Sequence, residues 1–311
     1  MRTWRRRGAI AAAAVLAVAL VLLGGAAAWF GIPAWRGGYI ENWTARDGEV
    51  VKNLTYRDGL GYDLYLPAGA ASRPEQSAVV FLHGGAWTGG SRKYMDYAAR
   101  RYAKAGYLTA TIDYSVNRDG NGVTMFRMLD DVGAAIEALK AETARRGYHV
   151  TRLALSGTSA GGHLALLYAY SRAARSTIPL KLVFTQVAPT DFSAQSWGSA
   201  DTAAQLVSMG TGRRITPQMM LDGSADDAIR SISPVAFVGP ASVPTVVAYG
   251  GRDHTVSVWH AVKLLRALDD HRIDLAFVGY PRSGHELTRD SESVARWKTV
   301  TLDYLQRYLT G

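Results

Sequence analysis

Short apolar runs recur along most of this chain, and from residue 78 onward they alternate with stretches whose apolar positions repeat every three to four residues. The runs are AVVFLH (78–83), YLTATIDY (107–114), RLALSG (152–157), KLVFTQVA (181–188), PTVVAYGG (244–251) and IDLAFVGY (273–280). Each is short and mostly apolar, as a strand covered on both faces must be. Helix-period stretches at 91–105, 124–146, 160–174 and 257–269 separate most of them. Strands and helices in alternation predict an α/β fold, with a mostly parallel central sheet and helices on both faces. Ahead of that region, VVKNLTY and YDLYLP flank Asp58-Gly59-Leu60-Gly61 and predict a hairpin.

Two intervals depart from the rhythm. Residues 190–240 lie between two predicted strands and hold Gly198, Gly210, Gly212, polar residues and only short helix-like pieces. That is too long for an ordinary connection, so the interval is expected to be a lid-like insertion over the site rather than a second domain. At the other end no charged residue occurs from Gly8 to Trp35. Ala9 to Phe30 as a helix would extend roughly 33 Å, about the thickness of bilayer hydrocarbon. The arginines before it should stay cytoplasmic and send the rest of the chain outward. Residues 1–35 are therefore expected to be a membrane anchor, embedded through residues 9–30, or a signal segment cleaved near Ala26-Ala27-Ala28. Either way the protein is expected to be exported. Residues 36–49 read as a connector, and 50–311 as the folded domain.

Composition narrows the function classes. The formal charge of +9 suggests nucleic acid, but Arg2, Arg5, Arg6, Arg7 and Arg36 supply five of those charges and flank the one apolar segment. The remainder is mildly basic, with no cluster of Lys/Arg interleaved with aromatics, so nucleic acid is not an expected partner. The chain has no cysteine, which removes disulfides, thiolate metal sites, a cysteine nucleophile and a lipoprotein anchor from consideration.

The candidate chemistry begins at Gly157-Thr158-Ser159-Ala160-Gly161, which follows a strand pattern and opens a helix pattern. That is the setting of a G-x-S-x-G nucleophile elbow, a turn sharp enough that Gly157 and Gly161 cannot carry side chains. A serine hydroxyl needs a base to take its proton and a carboxylate to orient that base. In chain order the carboxylate and then the histidine should each follow a later strand. Asp253 follows TVVAYGGR, and His285 follows LAFVGYPRSG. Asp191, in VAPTDF, competes with Asp253 but reads better as a turn or helix-cap residue. His163, His254, His260, His149 and His271 sit in less suitable positions than His285. The stretch FLHGGAWTGG (81–90) ends another strand. Its Gly84 and Gly85 would present backbone N–H groups to a developing oxyanion, joined by that of Ala160 immediately after the nucleophile. His83 and Trp87 flank these glycines, and His83 is expected to order the loop rather than to transfer protons.

HGGAW, GTSAGGHLAL, GGRDHTV and GYPRSGHEL occur in that order. With them the chain resembles α/β-hydrolases of the hormone-sensitive-lipase-like and acetyl-esterase-like group over roughly residues 50–308. The resemblance implies the α/β-hydrolase fold, a serine carboxylesterase acting on a small-molecule ester through an acyl-enzyme, and no metal or organic cofactor. Ala86 stands where many relatives carry a third glycine, and HGGxW forms also occur in kynurenine formamidase-like and prenylcysteine methylesterase-like enzymes. A formamide or amide hydrolase or a peptidase using the same triad is therefore the alternative within enzymes. A non-catalytic binding protein on the same fold is the alternative outside them. Short acyl groups are the expected substrates, because 192–212 lacks the broad apolar face of a lipase lid.

Overall fold

A computed structural model of the chain describes residues 42–57 and 59–310. The expected anchor, 1–35, and the start of the connector lie outside the described residues. Among the described residues no helix is long and apolar enough to cross a membrane.

Eight strands form one sheet in the order β1-β2-β4-β3-β5-β6-β7-β8. β1 (Gly48–Arg57) and β2 (Leu60–Pro67) make an antiparallel hairpin. Its turn is shorter than the sequence pattern implied: Leu60 pairs with Arg57, so Leu60 and Gly61 belong to the second strand. β2 also runs antiparallel to β4 (Leu108–Ile112). From there β3 (Gln76–Leu82), β5 (Val150–Thr158), β6 (Leu180–Gln186), β7 (Thr245–Gly250) and β8 (Leu275–Tyr280) extend a parallel sheet. The nearly continuous apolar runs follow from burial on both faces.

Alternate residues of each strand face two separate cores. Val80 and Leu82 join the cluster built on α2 (Met125–Arg145), α3 (Ala160–Ser171) and α8 (Val258–Asp270). Val79 and Phe81 join the opposite one, built on α1 (Asp96–Lys104) and α9 (Ser291–Leu309). Thr124 caps α2 by accepting the Arg127 backbone N–H. Helix α3 is buried from Ala160 through Ala169, so it has no polar face and sits where the layers meet. Helix α9, which the periodicity reading does not single out, buries Trp297, Thr301, Tyr304, Leu305 and Leu309 against the sheet.

Between β6 and β7 the chain forms α4 (Ala194–Trp197), α5 (Ala200–Thr211), α6 (Pro217–Asp222) and α7 (Asp226–Ile232), then a 3-10 turn at Pro234–Phe237. Its ends are pinned together. The Val235 N–H donates to the Thr190 carbonyl at 3.1 Å, and the Phe192 N–H to Ser233 Oγ at 3.0 Å. The interval buries Phe192, Ala203, Val207, Met220, Ile229 and Ile232 in the same core as α2 and α3. It is a packed excursion rather than an extended loop, and a Cβ on Gly210 would come within 2.7 Å of Met125 Sδ on α2.

Candidate active site

The nucleophile candidate sits where β5 hands over to α3. A Cβ on Gly157 would lie 2.5 Å from the backbone of Gly161, and one on Gly161 2.3 Å from the Leu82 carbonyl oxygen. Those approaches admit no side chain, which accounts for both glycines of the pentapeptide. Ser159 lies between them at φ 55°, ψ −123°, outside the helical region. A residue with a Cβ avoids that backbone unless its surroundings over-determine it. Here the Ser159 N–H donates to Gln186 O at 2.9 Å and its carbonyl accepts the first helical bond, from the His163 N–H, also at 2.9 Å. The hydroxyl is left projecting above the carboxyl ends of the strands, at the N-terminus of α3, where the peptide dipoles favour negative charge.

Three side chains from three loops meet there. His285 Nε2 lies 2.9 Å from Ser159 Oγ, and His285 Nδ1 lies 2.7 Å from Asp253 Oδ2. A carboxylate can only accept, so Nδ1 carries the imidazole proton and Nε2 is free to accept from the serine hydroxyl. Asp253 is held in turn: its Oδ1 accepts the backbone N–H groups of Thr255 at 2.8 Å and Val256 at 2.9 Å. Its side chain is fully buried, while that of His285 keeps 19% of its surface exposed. Gly250, at the end of β7, lets the two loops meet, since a Cβ there would fall 2.3 Å from the Gly284 carbonyl oxygen. The histidine loop is fixed from behind by Asp290. That carboxylate accepts from Ser283 Oγ at 2.6 Å and from the Arg282 side chain and N–H. Burial alone would raise the Asp290 pKa, but these bonds outweigh it and hold the carboxyl below its ordinary value.

Asp191 is also buried, but its bonds lead elsewhere. Its carboxylate accepts from Lys263 Nζ, Ser193 Oγ and Ser196 Oγ, tying the start of α4 to α8. Burial raises its pKa, and the bonds from Lys263, Ser193 and Ser196 more than reverse that.

The glycine loop closes the fourth side. Gly84 runs beside the elbow, with its would-be Cβ 3.4 Å from Ser159 Cβ. Gly85, at φ 134°, could not carry one, because it would fall 2.2 Å from the Gly89 carbonyl oxygen. Among the described residues, the N–H groups of Gly84 and Gly85 donate to no backbone acceptor, and that of Ala160 has no intrahelical acceptor at the first helical position. None of the three amides is therefore tied up in a backbone bond. His83 is buried; its Nδ1 donates to Gly84 O at 2.8 Å, and its ring stacks on Tyr114 at 4.2 Å. Tyr114 returns a hydrogen bond to the His83 carbonyl at 2.7 Å. Ala86 and Trp87 both have left-handed backbones, at φ 52° and 61°, so the position filled by Ala86 is one that glycine would take without strain.

Sequence reasoning passed over two other buried histidines. His163, four residues after the nucleophile, joins its ring nitrogens to Trp87 Nε1 and to the Ile232 carbonyl. His260, on α8, accepts from the Thr190 and Asp191 N–H groups through Nδ1 at 3.1 and 3.3 Å. Burial pushes each down to about 4. In the unfolded chain they would titrate near the ordinary value of about 6.5. Above that pH both states are neutral and nothing is lost. Between about 6.5 and 4 only the unfolded chain takes up the protons, so stability must fall as the pH falls, by on the order of 3 kcal/mol per histidine over the full window. Urea midpoints measured from pH 7 to pH 4.5 should therefore drop steadily, with His83, also lowered by burial, adding in the same direction. A flat profile across that window would contradict the assignment of these rings as neutral and buried.

The arrangement can polarise a serine hydroxyl, accept its proton and receive an oxyanion. Among the described residues no group of three or more His, Asp or Glu stands together as a metal site would require. Sheet order, elbow and loop placement are those of the α/β-hydrolase fold. The family model BD-FAE matches residues 62–268, and the chain belongs to the BD-FAE family. It is 28% identical over 216 residues to esterase LipC of Mycobacterium tuberculosis. That match takes in 67% of this chain and 52% of LipC, so the chain spans about half the length of that relative. Among solved structures it superposes on a truncated carbohydrate esterase from gut microbiota with a TM-score of 0.69 at 18% identity, covering 86% of this chain and 99% of that one. Esterase B from Lactobacillus rhamnosis superposes with a TM-score of 0.71 at 19% identity, covering 95% and 97%.

Proposed function

We propose that the protein is a serine carboxylesterase. Ser159 Oγ attacks the ester carbonyl while His285 Nε2 takes its proton, and the buried Asp253 carboxylate steadies the imidazolium that forms. The carbonyl oxygen becomes an oxyanion facing the N–H groups of Gly84, Gly85 and Ala160. Collapse breaks the bond to the leaving oxygen, which takes the proton back from His285 and departs as the alcohol. Water then attacks the acyl-enzyme by the same route, giving the acid and restoring the serine. The observation that supports this reading is the unbroken chain from Ser159 through His285 to Asp253, at 2.9 and 2.7 Å. The esterase names of its relatives point the same way.

The substrates we propose are short acyl esters, acetyl to about butyryl. Trp87, Phe192 and Trp197 pack ring against ring beside the elbow, with centroids 5.7 Å apart. α5 turns Ala203, Ala204 and Val207 inward, away from any oil surface. Each methylene left unburied forfeits roughly 0.8 kcal/mol, so two or three amount to about a tenfold or greater loss in affinity. A series of p-nitrophenyl esters from about two to sixteen carbons should give the highest kcat/KM at four or fewer. A maximum at twelve or beyond, with activation on emulsions, would indicate a lipase.

From sequence alone we propose that residues 9–30 anchor the enzyme with its catalytic domain outside the cytoplasm. Detergent should be needed to extract the full chain, and deletion of residues 1–35 should release a soluble, active enzyme. Recovery of the exported protein without detergent, beginning near Trp29, would identify a cleaved signal instead.

A further inference from the structure

Rings run in contact from the glycine loop into the interval between β6 and β7. Trp87 meets His163 and Phe192, His163 meets Phe192, Phe192 meets Trp197, and Trp197 meets His260. Within this row Trp87 Nε1–H donates to His163 Nδ1 at 3.1 Å. The other nitrogen of His163, Nε2, lies 2.8 Å from the Ile232 carbonyl oxygen. A carbonyl can only accept, so the ring proton sits on Nε2, and the Nδ1 lone pair is the one offered to the indole. One neutral imidazole, fully buried on α3, thus joins the nucleophile helix, the glycine loop and the last residue of α7.

The glycine loop needs such a tie. Ala86 and Trp87 lie in succession in the left-handed region, which residues with a Cβ avoid. They directly follow Gly84 and Gly85, whose N–H groups take no backbone acceptor and which the serine-hydrolase reading assigns to the oxyanion. Freed from its anchor, the Trp87 side chain could turn and the loop relax, carrying those amides with it.

We propose that His163 is a positioning residue for the oxyanion loop: by accepting the Trp87 indole N–H it holds the amides of Gly84 and Gly85 where the tetrahedral intermediate places its charge. The proposal rests on the serine-hydrolase reading of the site. His163→Leu removes the acceptor, Trp87→Phe removes the donor, and His163→Asn keeps an acceptor, its Oδ1, near the position of Nδ1. The first two should lose roughly 10- to 100-fold in kcat, with KM within about threefold of wild type. With a trifluoromethyl ketone probe Ser159 Oγ bonds to the carbonyl carbon, its proton passes to His285 Nε2 and the C=O π pair moves onto the oxygen, which stays charged in the hole. The probe's Ki should rise by the factor that kcat/KM falls. The double variant should be no worse than the poorer single, because both changes break one bond, and His163→Asn should recover most of the rate.

Wild-type kcat and Ki in His163→Leu or Trp87→Phe would overturn the proposal. So would an activity loss matched by loss of titratable active sites with Ki unchanged, which is what a merely structural role produces, or His163→Asn as impaired as His163→Leu. If Ser159→Ala hydrolyses esters as well as wild type does, the serine-hydrolase reading itself fails and this proposal falls with it.

Discussion

Replacing Ser159 with alanine is expected to lower kcat/KM for an activated acetyl ester by roughly 10⁴- to 10⁶-fold, while the protein stays folded. The substitution removes one atom, Oγ, and its single bond to His285 Nε2. The backbone at φ 55° is as demanding for alanine as for serine, and the surrounding glycines already make the room that a Cβ needs. No new cavity or clash arises, so the circular dichroism spectrum and thermal midpoint should match wild type. Residual turnover would then report the proposed oxyanion amides of Gly84, Gly85 and Ala160 acting without a nucleophile, with water in its place. Activity within tenfold of wild type in a folded Ser159→Ala protein would remove Ser159 from the mechanism.

Asp253→Asn is the second large effect, expected to cost about 10⁴-fold in kcat. The amide can keep an oxygen on the Thr255 and Val256 N–H groups, which hold that side of the group at 2.8 and 2.9 Å. Its nitrogen then faces His285 Nδ1 and donates to it. The imidazole proton is driven onto Nε2, where it opposes the serine hydroxyl instead of accepting from it. The loop stays in place while the tautomer is wrong, so KM should change little. Asp191→Asn is the control. That carboxylate is occupied by Lys263, Ser193 and Ser196 and makes no bond to His285, so turnover should stay within a few-fold. Stability should fall instead, by roughly 1–3 kcal/mol for a disturbed buried polar cluster. The reverse ranking of the two variants would move the catalytic acid to the loop after β6.

Much of the fold could be read from local pattern, because a doubly covered parallel sheet forces near-continuous apolar runs, and these came within a few residues of β3 through β8. The elbow could be read for a related reason: two glycines flanking a serine at a strand-to-helix junction answer a steric demand that the junction imposes by itself. Other features were not local. Helix α9 carries its apolar residues at helical spacing, a local signal that the periodicity reading does not single out, but that it packs on the far core depends on the chain's return. The role of Asp290 depends on Ser283 and Arg282, one turn of loop away, and Asp191, besides the nearby Ser193 and Ser196, meets Lys263 only once α8 brings it across. His163 was visible but looked idle, since its partners Trp87 and Ile232 stand 76 and 69 residues away. Ala86 left the substrate class open in the sequence, and its left-handed φ, a strained backbone for a residue with a Cβ, could not be read there. Val187, β-branched and at φ 47°, has no signal in the local sequence.

In the proposed mechanism Ser159 is a nucleophile activated by His285. The most direct test is covalent capture: the purified protein is treated with a fluorophosphonate, digested, and the modified peptide sequenced by mass spectrometry. A single stoichiometric adduct is expected on Ser159, abolished in Ser159→Ala and greatly slowed in a His285→Ala variant that retains its fold. An unlabelled wild-type protein, or an adduct on another residue, would contradict that mechanism.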